Sequence, residues 1–228
     1  LDGIGKSFRQ FSLAMQPATD TSIVTYPVDQ ALDYGELETL ARGLLPKEHP
    51  FFLLAESFSG PIAARIAADP PRALIGTVFC ATFVKNPYPM LAWAAPFAGL
   101  FPFKSLPRWV RAPLMWGSST PSHAPPRAER ATTAVDAAVL RHRIATVLAV
   151  DETAALAKIM LPTLIIGARS DRVIPRAATI HMTRTLPQAR HVELDGPHLL
   201  LQTRPAICAT IITEFMTESV LGMGAEIA

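Results

Sequence analysis

The sequence predicts an α/β fold: a mostly parallel sheet with helices on both faces and a small helical cap inserted in it. Three observations predict this. Short apolar runs alternate with amphipathic or Ala-rich segments along most of the 228 residues, the rhythm of strand–helix–strand units. One apolar run, Phe51 to Ala55, leads through Glu56 into a serine and then directly into a small-residue helix. The rhythm breaks once, from Lys85 to about Ala128, where prolines crowd and all three tryptophans lie.

Taken in order, Ser22 to Tyr26 reads as a short strand. Tyr34 to Leu45 reads as a helix with Leu37, Leu40, Ala41, Leu44 and Leu45 on one face. Phe51 to Ala55 has the continuous apolar character of a strand buried on both faces. Phe58 to Ala68 is Ala- and Ile-rich and stops before Pro70 and Pro71, as a helix does. Leu74 to Phe83 and Thr163 to Gly167 are further strand candidates, the second announced by Pro162. Asp136 to Val150 and Asp151 to Met160 read as helices. Ala177 to Leu186 reads as a helix, His191 to Leu194 as a strand and Pro205 to Glu218 as a closing helix. A bare loop as long as the proline-rich stretch is uneconomical, so a helical cap is expected there. The division is residues 1–84 and 151–228 as α/β core and residues 85–150 as cap or lid. A chain of this length suits one such domain.

Half of the residues (50%) are hydrophobic and 18% are charged, which suits a folded core and argues against disorder. The formal net charge is +2, without a run of Lys and Arg interleaved with aromatics, so no nucleic-acid partner is expected. The apolar stretch Met90 to Phe103 is too short for a membrane span and is broken by Pro96 and Pro102. Cys80 and Cys208 make no disulfide framework; Cys80 reads as a small buried hydrophobe, and a reducing, cytoplasmic compartment is the default. No metal-ligand spacing occurs. The chain opens at Leu1 in what reads as the middle of a motif, so residues upstream are expected.

Ser57 stands at the junction of a buried strand and a helix, in Ala55-Glu56-Ser57-Phe58-Ser59-Gly60. A tight strand-to-helix turn needs small residues two before and two after a nucleophile, commonly glycines; here they are Ala55 and Ser59, with Gly60 as a second permissive backbone position. The helix N-terminus brings N–H donors and a positive dipole end, and the Phe58 amide is a candidate oxyanion donor. The same segment also reads as a helix with Ser57 as N-cap, and Ser59 is a rival nucleophile. A serine hydroxyl needs a base, usually a histidine oriented by a carboxylate. Asp171 follows the strand Thr163 to Gly167 and precedes Pro175. His198 follows the strand His191 to Leu194 in Asp195-Gly196-Pro197-His198, on a loop before the last helix. Both stand at the carboxyl ends of strands, where parallel sheets place their sites. Asp171 could instead be a capping carboxylate, His198 a surface loop histidine, and Asp195 is a second acid candidate. His49, His123, His142, His181 and His191 have no comparable setting. Glu56 is expected to point away from Ser57 into a buried or half-buried hydrogen bond.

These three segments together, Ala55 to Gly60, Gly167 to Pro175 and Gly196 to His198, resemble the α/β-hydrolase superfamily over essentially the whole chain. The resemblance implies the α/β-hydrolase fold, a Ser57–Asp171–His198 triad, and no cofactor or metal. It also implies that Leu1-Asp2-Gly3-Ile4-Gly5 is the tail of the oxyanion loop, with the Leu1 amide as second donor beside Phe58. The expected function is a serine hydrolase, of carboxylesterase type, acting on a small hydrophobic molecule. The alternatives are an acyltransferase, thioesterase or peptidase using the same triad, or a non-catalytic binding module. Trp93, Trp109 and Trp116 would line the substrate pocket or form the cap's own core. Oligomeric state stays open.

Overall fold

The computed structural model describes residues 5–16, 18–93 and 135–226. Among them a single sheet of parallel strands runs in the order β1 (Phe51–Glu56), β2 (Leu74–Cys80), β3 (Thr163–Ala168), β4 (Arg190–Leu194). The register sets Glu56 beside Cys80, Cys80 beside Ile166, and Ala168 beside Leu194. The carboxyl ends of all the strands therefore leave along one rim.

Alternation along the strands divides the core in two. Phe79 and Ile165 face a layer that holds Leu37 and Ala41 of α2 (Tyr34–Leu44) and Ile62 and Ile66 of α3 (Gly60–Ala68). Leu156 of α5 (Thr153–Ala157) and Met182 of α6 (Arg176–Thr185) complete that layer. Val78, Cys80, Leu164 and Ile166 face the other layer, with Phe11 and Met15 of α1 (Arg9–Met15). There they meet Leu201 of α7 (Leu200–Thr203) and Cys208, Ile212 and Phe215 of α8 (Pro205–Glu226). This is the expected parallel sheet covered on both faces. The remaining helix, α4 (Ala137–Ala149), is N-capped by Asp136, whose Oδ1 accepts from the Ala138 amide at 2.8 Å. In α2 the cap is reciprocal. The Glu36 amide donates to Asp33 Oδ1 and the Asp33 amide to Glu36 Oε2, each at 2.9 Å.

Several elements depart from expectation. Ser22 to Tyr26 forms no strand, because extended propensity becomes a strand only where a neighbour supplies ladder hydrogen bonds. β1 pairs with β2 alone among the described residues, and Phe51 to Leu54 are only half-buried rather than enclosed on both faces. Leu44, expected on the buried face of α2, is 59% exposed. The segment Phe58 to Ala68 divides into a 3-10 turn, Ser57–Ser59, and α3. The closing helix runs on to Glu226. Its Pro205–Gly224 stretch, of mean hydropathy 1.3, is long and apolar enough to cross a membrane by length and composition. One face of it, with Cys208, Ala209, Ile212 and Phe215, packs onto the sheet.

Most of the expected cap, residues 94–134, lies outside the described residues, with Trp109 and Trp116. Its two ends are held together. Lys85 pairs with Asp151 in an isolated antiparallel bridge and through Nζ to Oδ2 at 2.8 Å. The Asn86 amide donates to the Val150 carbonyl at 2.8 Å, and the Glu152 amide to that of Val84 at 2.7 Å.

Leu156 is wholly buried where α5 meets the sheet layer. Leu156→Ala is expected to lower stability by about 2–5 kcal/mol, by lost transfer energy plus the cavity left behind. Urea denaturation checks this: the midpoint falls while the slope stays as in the parent protein.

Candidate active site

β1 is apolar as far as Ala55 and then ends in Glu56. The next residue, Ser57, has φ 57°, in the left-handed region that side-chain-bearing residues rarely enter. Such a conformation costs about 1–3 kcal/mol and persists only when its surroundings hold it. Here the Ser57 carbonyl accepts from the Gly60 amide and from the Thr82 hydroxyl, which stands just beyond β2. Gly60 itself lies in ordinary helical conformation (φ −54°, ψ −51°), so it is not needed for backbone freedom as expected. It is needed for space: a Cβ there would collide with Thr82 Oγ1 and with the Phe83 carbonyl. The glycine lets α3 start against the end of β2.

Ser57 Oγ lies 2.8 Å from His198 Nε2. His198 is 1% exposed, and its Nδ1 lies 2.8 Å from Asp171 Oδ2. The other carboxylate oxygen, Oδ1, accepts from the Val173 and Ile174 amides, both at 2.7 Å, which keeps Oδ2 turned to the imidazole. The loops after β3 and β4 are joined directly. The Arg169 amide donates to Leu194 at 2.9 Å, and the Ser170 amide to Gly196 at 3.1 Å. The Tyr88 hydroxyl, from the start of the 85–150 segment, donates to the Val173 carbonyl and braces the Asp171 loop from above. Burial raises the Tyr88 phenol, so it remains a donor.

The structure therefore brings Ser57, Asp171 and His198 together. Phe58 is the second residue of the 3-10 turn, directly after Ser57, where amides lack intrahelical acceptors. Its side chain is buried, stacked on Tyr34 at 5.0 Å, edge-on to Tyr26 at 6.3 Å, and near the Arg143 guanidinium at 5.9 Å. Leu1, the other expected oxyanion donor, lies outside the described residues, as does His123. The rival residues face elsewhere. Ser59 Oγ accepts from the Tyr26 hydroxyl at 3.3 Å, and Asp195 pairs at the surface with Arg169 at 3.2 Å. His181 meets Thr153 Oγ1 at 2.9 Å, His142 rides on α4, and His49 and His191 are exposed. Trp93 is 71% exposed. No cluster of potential metal ligands occurs among the described residues.

Glu56 does turn away from Ser57. It is buried, accepting from Gln202 Nε2 at 2.7 Å and from the Leu201 amide at 3.3 Å. Burial pushes its carboxyl up from 4.5 to about 7, against the opposing effects of Gln202, His198 and Leu201. Thr82, Tyr88 and the partners of Glu56 escaped sequence reading. The one available signal was the polar Thr82 inside an apolar stretch.

A sequence profile of the alpha/beta hydrolase family matches residues 10–211. The chain belongs to the alpha/beta hydrolase family. Comparison with curated proteins returned no match. Among solved structures, this hydrolase-family chain is similar to a hydrolase from Oleispira antarctica, with TM-score 0.80 and 14% identity over 95% of this chain and 88% of that one. It is also similar to the enol-lactonase from Burkholderia xenovorans, with TM-score 0.78 and 16% identity over the same shares. A thermophilic esterase from Thermogutta terrifontis follows with TM-score 0.69 and 19% identity, over 92% and 86%. At these identities the likeness is one of fold.

Two predictions follow from the elbow. Gly60→Ala must push α3 away from Thr82 and Phe83, and is expected to cost about 1–3 kcal/mol or more; thermal unfolding reads the loss. The Glu56 carboxyl binds its proton more tightly in the folded than in the unfolded chain. The stability attached to it is thus full below about pH 4.5 and is lost as pH rises through about 7. The loss is on the order of 3 kcal/mol. Denaturant titrations of the parent and of Glu56→Gln across that window check it: the parent weakens relative to the variant as pH rises.

Proposed function

We propose that this alpha/beta hydrolase is a serine hydrolase of carboxylesterase type, with Ser57 as nucleophile, His198 as general base and acid, and Asp171 as the carboxylate that orients the imidazole. The observation that carries the reading is the continuous relay Ser57 Oγ–His198 Nε2 and His198 Nδ1–Asp171 Oδ2, each link 2.8 Å, on a serine held at positive φ. For Nε2 to take the hydroxyl proton, Nδ1 must carry a hydrogen, and Asp171 Oδ2 is placed to accept it.

In this reading Ser57 Oγ bonds to the ester carbonyl carbon as its proton passes to Nε2. The carbonyl oxygen becomes an oxyanion beside the Phe58 amide. The intermediate collapses by breaking the bond to the alcohol oxygen, which receives the proton from Nε2. Water then gives a proton to Nε2 and attacks the acyl carbon, and Ser57 leaves with that proton. Each proton taken is returned, so the cycle needs no redox partner. The substrate is a small hydrophobic ester, an inference from the apolar make-up of residues 85–150. The two thiols, free and buried, suit a reducing compartment such as the cytoplasm.

Labelling of the folded protein by a fluorophosphonate probe is expected at Ser57, with turnover of p-nitrophenyl esters of graded acyl length. Ser57→Ala and His198→Ala should each lower kcat by about 10⁴-fold or more. Absence of labelling at Ser57 in the folded parent would defeat the reading, and faster product formation with an added alcohol or amine acceptor would point to acyl transfer.

A further inference from the structure

Among the described residues, Glu56 is the one buried carboxylate beside the relay that the proposed reaction leaves without a task. Its two hydrogen bonds both reach α7, which begins just after His198. One goes to the backbone of Leu201 and one to the side chain of Gln202. The Leu200 amide in turn donates to the His198 carbonyl at 3.0 Å. On its other side Glu56 is covalently next to Ser57. A single side chain thus spans from the residue before the nucleophile to the turn that carries the base. Leu200 and Leu201 are wholly buried in the layer below, so that turn is seated from beneath by packing and from the side by Glu56.

We propose that Glu56 is a positioning residue of the reaction, clamping the His198 turn to the end of β1 so that Nε2 stays within hydrogen-bond reach of Ser57 Oγ. The inference rests on the serine-hydrolase reading above. The clamp works through hydrogen bonds rather than through charge. Burial pushes the carboxyl up to about 7, so both protonation states are populated around neutral pH. Gln202 can also serve either protonation state, since its Oε1 is buried without a partner and its amide can turn over to accept as well as donate. The charged and titratable groups around Glu56 are His198 on the loop after β4, Cys80 at the end of β2 and Cys208 on α8. Burial raises both thiols, so they remain neutral.

Glu56→Ala removes both arms of the clamp. Glu56→Gln keeps an acceptor for Leu201 and, once the Gln202 amide turns, a second bond. The first measurement needs no substrate. The Nδ1 proton shared by His198 and Asp171 gives a low-field proton resonance when the imidazole is held. It is expected to be sharp in the parent and in Glu56→Gln, and broadened or lost in Glu56→Ala. The second is kcat per fluorophosphonate-titrated Ser57, which corrects for any unfolded fraction. Glu56→Ala should fall about 10- to 100-fold with KM within about twofold, and Glu56→Gln should recover most of the loss. If Glu56→Ala does not fold, Gln202→Ala removes one arm and should fall about 3- to 10-fold, again in kcat. A sharp resonance with unchanged kcat per titrated site in Glu56→Ala, or in Gln202→Ala where that is the folded variant, overturns the clamp. So does a Glu56→Gln variant as impaired as Glu56→Ala. A parent that shows the resonance but is not labelled at Ser57 defeats the hydrolase reading instead, and the resonance then still decides the clamp.

Discussion

The carbonyl of Ser57 is the point on which the site turns. A residue held at φ 57° directs its side chain out of the strand and its carbonyl back toward the sheet. Left alone, that backbone would relax into the next turn of helix at a gain of about 1–3 kcal/mol. It is held because the carbonyl accepts from the Gly60 amide on the helix side and from the Thr82 hydroxyl on the sheet side. That second bond requires α3 to begin in contact with the end of β2, which only a residue without a Cβ allows at position 60. Ala81, the other residue besides glycine at positive φ among those described, bends the chain at the same place and brings Thr82 to the elbow. Two unfavourable backbone conformations are thus tied to each other by one hydroxyl.

The rest of the site follows from parallel topology. In a parallel sheet every strand delivers its following loop to the same rim. β3 and β4 are neighbours, so the loops bearing Asp171 and His198 leave side by side and share the Arg169–Leu194 and Ser170–Gly196 hydrogen bonds. Asp171 and His198 are thereby registered by backbone, which varies little, before any side-chain contact is made. The imidazole has only to reach across the ends of β3 and β2 to Ser57.

Much of this was legible in the sequence because it is local. Apolar strands followed by a serine, an aspartate and a histidine at their carboxyl ends can be read from runs and breakers, and the structure brings those three side chains together. What could not be read depends on distant partners. Ser22 to Tyr26 looks extended in composition but forms no ladder among the described residues. Gly60 was explicable by conformational freedom or by space, and only the position of Thr82 and Phe83 decides for space. Tyr88 lies in a proline-rich stretch whose composition says nothing about Val173, 85 residues away. The half-burial of Phe51 to Leu54 likewise depends on what stands beside β1, not on those residues.

The contacts of Tyr88 also bear on how residues 85–150 relate to the chemistry. The two ends of that segment are pinned to each other by Lys85 and Asp151, so its attachment behaves as a single stem rather than two strands of chain. The Asn86 side chain extends the stem, its amide donating to the Leu148 carbonyl at 2.7 Å and its Oδ1 accepting from the Tyr88 amide at 2.8 Å. Tyr88 then passes from the stem to Val173, whose own amide holds Asp171 Oδ1 at 2.7 Å. A displacement of the stem therefore reaches the Asp171 carboxylate through hydrogen bonds and one peptide unit. On the opposite side Arg143 of α4 donates to the Pro27 carbonyl at 2.7 Å and lies over Phe58, the residue following the serine. The described part of this segment thus touches the candidate site on both flanks, toward Asp171 and at Phe58, while the His198 turn is seated on the layer below. The described part of that segment therefore has a hydrogen-bonded route to Asp171 that does not pass through Ser57 or His198.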